Sequence, residues 1–180
     1  MSRLDFVRDS SKRFPIVDTP DSVLRMRIWH CKYRTLSPLS AFQKLEELII
    51  ASFPDETLEV IGELRSLRYL RLLHLPKITD LSPLGRLQNL EVLSLATSPA
   101  WDAAGRIQRV GSLAPLRSMQ NLRHLELFGV CTEDRSLAEI EECHALRTAS
   151  FSQYPKEKVK RFSEKLGVTN QYAPASSFEA

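Results

Sequence analysis

Four histidines, three cysteines and a cluster of carboxylates are the residues of this chain best suited to bond-making or metal chemistry. His30 and His74 occupy equivalent positions of an internal repeat, with Ser52 at the same position between them. Strand spacing of about 4.8 Å puts the two imidazoles roughly 10 Å apart, too far to share a metal ion without further ligands. Cys143 and His144 are sequence neighbours, so their side chains diverge instead of forming a thiol–imidazole pair. Cys31, Cys131 and Cys143 match no zinc spacing and cannot form a complete disulfide set. Cys31 and Cys131 read as small buried residues in turns. Glu139, Glu141 and Glu142 read as a solvated helix face. There is no G-x-S-x-G, no P-loop, no H-E-x-x-H and no dinucleotide fingerprint. The expectation is a non-enzymatic chain with no catalytic residue, metal ligand or small-molecule cofactor.

The composition sends the question elsewhere. The chain has 180 residues, 43% hydrophobic and 26% charged, enough for one core. Leucine stands out, with 27 copies against 6 glycines. A net charge of +3 argues against nucleic-acid binding. The five lysines and arginines between Lys156 and Lys165, which could form a nucleic-acid or membrane patch, read as the solvated outer face of a capping helix. No stretch approaches a membrane span, so no membrane partner is expected. The start carries Asp5 and Asp9 and lacks an apolar h-region, so no signal peptide is read, and a cytoplasmic location is the expectation.

The leucines repeat. L-x-x-L-x-L occurs at Leu67–Leu72, Leu90–Leu95 and Leu122–Leu127, with looser copies starting at Val23, Leu45 and Leu146. The starts are separated by 22, 22, 23, 32 and 24 residues. A second motif keeps the same phase: Leu36-Ser37-Pro38-Leu39, Leu81-Ser82-Pro83-Leu84 and Leu113-Ala114-Pro115-Leu116. Side chains of an extended chain alternate, so the fourth and sixth motif positions point the same way into a core. Ser37 and Ser82 are candidate helix caps, with Pro38 and Pro83 at the first helical position, where a missing N–H is harmless. Each unit is then a short strand, a turn and one or two helical turns, and only stacked units bury a common core.

These motifs resemble the leucine-rich repeats of short bacterial type, and Ile78 to Leu90 is similar to the repeats of the internalin-like group. The resemblance covers residues 23–151. It implies an α/β leucine-rich repeat solenoid with a parallel sheet on the concave face and short helices or 3-10 turns on the convex face. It also implies binding to another protein. The chain departs from that group at the ninth repeat position, where Cys31, Phe53, Leu75, Ser98 and Val130 replace the usual inward asparagine. The turns must therefore satisfy their backbone groups by other means.

The domain expectation is an N-terminal cap segment (1–22), a solenoid of about six strands (23–151), a C-terminal capping helix (152–167) and a flexible tail (168–180). Phe6, Phe14, Ile16 and Val17 are expected to pack below the first strand. Val159, Phe162 and Leu166 share one face of the capping helix, and Gly167 stops it. The long interval before Leu122 marks an insertion near 96–112. Its Trp101, Arg106 and Arg109 are types enriched at binding hot spots. Trp101 either meets a partner or folds the loop back onto the core.

The candidate protein-binding residues are those the core does not use. Outward strand positions bring Arg27, Tyr69, Arg71 and His124 to the concave face. Trp29, Ala51, Leu73, Ala96 and Phe128 form a broken apolar ridge just past the strands. The expected function is recognition of a partner protein through this face, through the insertion, or both. An inhibitor or immunity-type protein and a structural domain of a larger assembly are the alternatives.

Overall fold

The computed structural model describes residues 2–179, over which the leucine motifs form a parallel sheet of seven strands. In spatial order these are β1 (Ser2–Val7), β2 (Val23–Trp29), β3 (Glu47–Ala51), β4 (Tyr69–Leu73), β5 (Val92–Ala96), β7 (His124–Phe128) and β9 (Thr148–Ser152). Two short strands, β6 (Gln108–Arg109) and β8 (Val130–Cys131), pair separately.

The register explains the period. Leu48, Leu70, Leu93 and Leu125 are successive partners, as are Ile50, Leu72, Leu95 and Leu127. All eight side chains have no solvent exposure. Full burial of one such side chain favours folding by about 1.5–3 kcal/mol, so two unbroken columns can hold together central strands only five residues long.

On the convex side the units turn through short 3-10 segments, Ser37–Ala41, Ser82–Arg86, Ala114–Ser118 and Ala138–Ile140, and through α1 (Glu59–Gly62). Ser37 and Ser82 do not cap them, contrary to expectation. The caps lie two residues before the first donor served: Asp80 accepts from the Ser82 amide at 2.8 Å, Thr35 from Ser37 and Ser112 from Ala114. The residue served is the first of each turn, just before a proline that has no N–H of its own, and its unpaired amide is satisfied from upstream. At Gly62 the convex layers touch, and a Cβ there would lie 2.5 Å from the Pro83 carbonyl oxygen.

The turns after the strands dispense with the asparagine. Arg8, His30, Ser52, His74, Gly129 and Gln153 all adopt positive φ in the position after a strand. Bending there lets the ladder continue one residue further: His30, Ser52 and His74 amides donate to the carbonyls of Ala51, Leu73 and Ala96. The apolar ninth-position side chains Phe53, Leu75 and Val130 are then free to fill the core.

Both ends differ from expectation. Residues 2–7 are an additional strand, so the sheet has seven strands where six were expected. Leu4 and Phe6 face the core in alternation, and Phe6, Phe14, Tyr33 and Phe42 form an edge-to-face aromatic cluster beneath it. Ile16 is 95% exposed and takes no part. At the far end α3 (Lys156–Leu166) covers the last repeat through the fully buried Phe162, and Gly167 ends it in the left-handed conformation. The following segment is not a loose tail. Thr169 exchanges backbone hydrogen bonds with Arg147 and Ala149 at the open edge of the last strand, and the chain then crosses the concave face.

Candidate protein-binding face

The third, fifth and seventh positions of each strand point away from the leucine columns, so strand alternation alone builds the concave surface. Trp29, Ala51, Leu73, Ala96 and Phe128 are direct partners in the strand register. They therefore lie within the strands, not past them as expected. Parity turns Trp29, Leu73 and Phe128 outward, each half-buried.

Most of the candidate residues in the middle of this face are already engaged. Residues 173–179 form a strap running across the strands, from the C-terminal end of the sheet towards its start. The Ala173 amide donates to Glu126 at 2.7 Å, and the Ser177 amide donates to Glu47 at 2.8 Å. The Tyr69 hydroxyl donates to the Pro174 carbonyl, and Arg3 to the Ser177 carbonyl. Arg71 reaches Glu179 at 2.6 Å and lies 4.0 Å from Glu126. Phe178 sits under the guanidinium of Arg3, 3.9 Å from the ring centre, with Arg27 at 5.2 Å. Beneath it Ile49, Tyr69 and Val92 form a second apolar cluster, separate from the leucine core and closed by Phe178, with Trp29 and Ala173 alongside. Burial against this cluster leaves Tyr69 only 9% exposed and pushes its hydroxyl up to about 12.

The remaining candidates divide. Arg27 makes a two-pronged pair with Asp5, at 2.8 and 2.6 Å, tying β2 to β1. His124 shares a hydrogen bond with Thr148 at 2.8 Å, and burial lowers its pKa. In the insertion, α2 (Pro99–Ala103) is capped by Ser98, and Asp102 accepts from Ser152 and Gln153 of the last repeat. Trp101 folds back, its ring 5.2 Å from that of His74 and nearly perpendicular to it. Arg109 pairs with Glu133, and Arg106 is exposed. Trp101, Arg106 and Arg109 are thus not brought together with Tyr69 and Arg71.

Between the insertion and the strap lies a cleft of about 670 Å³. Its floor is Leu73, Ala96 and Phe128, and its walls include Pro99, Asp102 and Tyr172. Tyr172 also meets Phe128 edge-to-face. Glu47, Ile49, Val92, Glu126, Phe178 and Glu179 also meet on this face, though none was among the candidates. The first four were visible as outward strand positions. For the last two, the signal was an aromatic–acid pair at the end of a polar segment.

His30 and Ser52 share a hydrogen bond at 2.9 Å, while His74 turns to Trp101. Among the described residues no group of three or more His, Cys, Asp or Glu side chains is placed to hold a metal ion. Nor is any helix among them long and apolar enough to cross a membrane.

Seven parallel strands stacked in sequence order, six of them ending in the same positive-φ bend, with short helical turns on the convex side, settle the architecture. The fold is a leucine-rich repeat solenoid. Solved structures similar to this solenoid include internalin C2 of Listeria monocytogenes, with a TM-score of 0.49 and 12% identity over 72% of this chain and 62% of that one. An internalin F from the same organism has a TM-score of 0.47 and 18% identity over 82% of this chain. The solenoid spans about 62% and 47% of the lengths of these two proteins. No protein-family model matches the chain, and no curated protein matches it in sequence.

Proposed function

We propose that the protein is a non-catalytic recognition module that binds a partner protein through its concave face. One observation carries this reading: the face already holds a peptide, its own strap, by apolar burial, ion pairing and main-chain hydrogen bonds together. A surface that seats one segment in this way has the apolar centre and polar rim of a protein interface. The residues assigned to recognition are Trp29, Tyr69, Arg71, Leu73 and Phe128, with Arg27 and His124 beside them. Trp101 anchors the insertion against His74, and Arg106 and Arg109 are its exposed residues available to a partner. Residues 23–151 act as the scaffold, with residues 1–22 and 152–167 closing its ends. The mixed charges of the face, with Glu47 and Glu126 buried in its centre, disfavour a polyanion such as nucleic acid. Three free thiols suit a reducing, cytoplasmic setting.

The test is site-directed photo-crosslinking in host lysate. A photo-reactive residue at Phe128 is expected to capture a partner protein, and one at Arg117 on the convex turn is not. Capture through Arg117 alone, or through neither, removes the concave-face reading.

A further inference from the structure

We propose that the concave face is a groove for a peptide that carries an aromatic residue followed by a carboxylate in a tight turn, and that the strap Ala173–Glu179 occupies this groove until such a peptide replaces it. This inference rests on the concave-face reading above and names the chemistry of its ligand.

The strap shows what the groove recognises. Glu126 and Glu47 accept main-chain amides, a feature a peptide offers and a nucleic-acid backbone does not. Tyr69 and Arg3 donate to main-chain carbonyls from the other side. Main-chain contacts give grip without sequence preference, and the side-chain contacts supply that preference. Arg3 and Arg27 flank the Phe178 ring while Ile49, Tyr69 and Val92 form the surface beneath it, so an aromatic side chain meets cations and apolar groups at once. Arg71 then fixes the carboxylate of the next residue. The chain turns at this point, the Glu179 amide donating to the Ser176 carbonyl, so the ring is held over the first two strands while the carboxylate swings back to Arg71 in β4.

The strap is also an imperfect occupant. The Ser176 and Ser177 hydroxyls are buried without partners. Burying a polar group without a hydrogen bond is unfavourable, so a peptide with alanine or glycine at these two places fits the groove better. The strap holds its place because it is tethered: it reaches the groove directly from the end of α3, which raises its local concentration. A free peptide must therefore compete, and its apparent affinity falls by the fraction of molecules with an open groove.

The experiment uses the full chain and a fluorescein-labelled peptide with the sequence of residues 171–179, read by anisotropy. The comparison chain carries Phe178→Ala and Glu179→Gln. The peptide is expected to bind this variant at least tenfold more tightly than the native chain, and adding Arg71→Ala to the variant is expected to reverse the gain. Hydrogen exchange of the Ala173 and Ser177 amides is expected to speed up in the variant. If the double variant fails to fold, Glu179→Gln alone makes the comparison with a smaller expected gain, up to about fivefold, because the ion pair it removes is partly screened by solvent. Equal or absent peptide binding to both chains overturns the proposal. So does binding indifferent to Arg71, or unchanged exchange of the strap amides. If the peptide fails while Phe128 still captures a partner, the partner uses other features of the face and only this inference falls.

Discussion

Arg71, in the middle strand of the sheet, pairs with Glu179 at 2.6 Å across 108 positions of sequence. That contact joins a residue whose outward direction is set by strand alternation to one whose position no repeat specifies.

Breaking the pair is expected to loosen the strap and leave the solenoid intact. Arg71 is 22% and Glu179 45% exposed at the side chain, so solvent screening holds the contribution to about 1 kcal/mol or less. Glu179→Gln should accelerate exchange at the Ser177 amide while the urea midpoint barely moves. A large fall in the midpoint would mean that the strap is part of the cooperative core.

The two leucine directions should differ sharply in cost. Leu93→Ala removes a fully buried side chain between Leu70 and Leu125 and is expected to cost about 2–5 kcal/mol. Leu73→Ala, half-buried on the concave face, should cost under about 1 kcal/mol. Urea unfolding of the two variants checks this, and equal costs would contradict the assignment of the faces.

Burial pushes the Cys131 and Cys143 thiols up to about 11. Their folded values lie above the unfolded value of about 8.5, so their contribution to stability is complete below that pH and is lost as pH rises towards 11. Half-exposed Cys31 should react first with a thiol reagent at pH 8, and the other two only on unfolding. Simultaneous labelling of all three in the folded chain would refute this.

His74 and His124 have pKa values lowered chiefly by burial, with His30 adding to the effect at His74 and Arg147 and Arg123 at His124. Their contribution to stability is present above the unfolded value of about 6.5 and is lost as pH falls through the lower folded values. Because Trp101 packs edge-on against His74, acid should loosen the insertion and shift indole emission to the red. His74→Phe should suppress that shift, and an unchanged shift would place its origin elsewhere.

The solenoid was legible because its information is periodic. Leu70, Leu93 and Leu125 each meet the equivalent residue of the next repeat, so the spacing of the leucines states the contact list directly. The capping helix was legible too, from Phe162 on one face and Gly167 at its end. The first strand was missed because Ser2–Val7 has no leucine motif, although the alternation of Leu4 and Phe6 was there to be seen. The insertion was located, but whether Trp101 turned out or in depended on the nearness of His74, which no spacing encodes.

The amino-acid sequence by itself determined the repeat, the core and the outward set from which a binding face is drawn. Tertiary structure alone decided what lies on that face. Glu126 meets Ala173, Glu47 meets Ser177 and Arg71 meets Glu179, partners 47, 130 and 108 positions apart. Periodicity specifies neighbours one repeat away, whereas the strap crosses many repeats at once. Its path is chosen by an aromatic ring, a carboxylate and a few amides finding their complements on a surface that must first be folded.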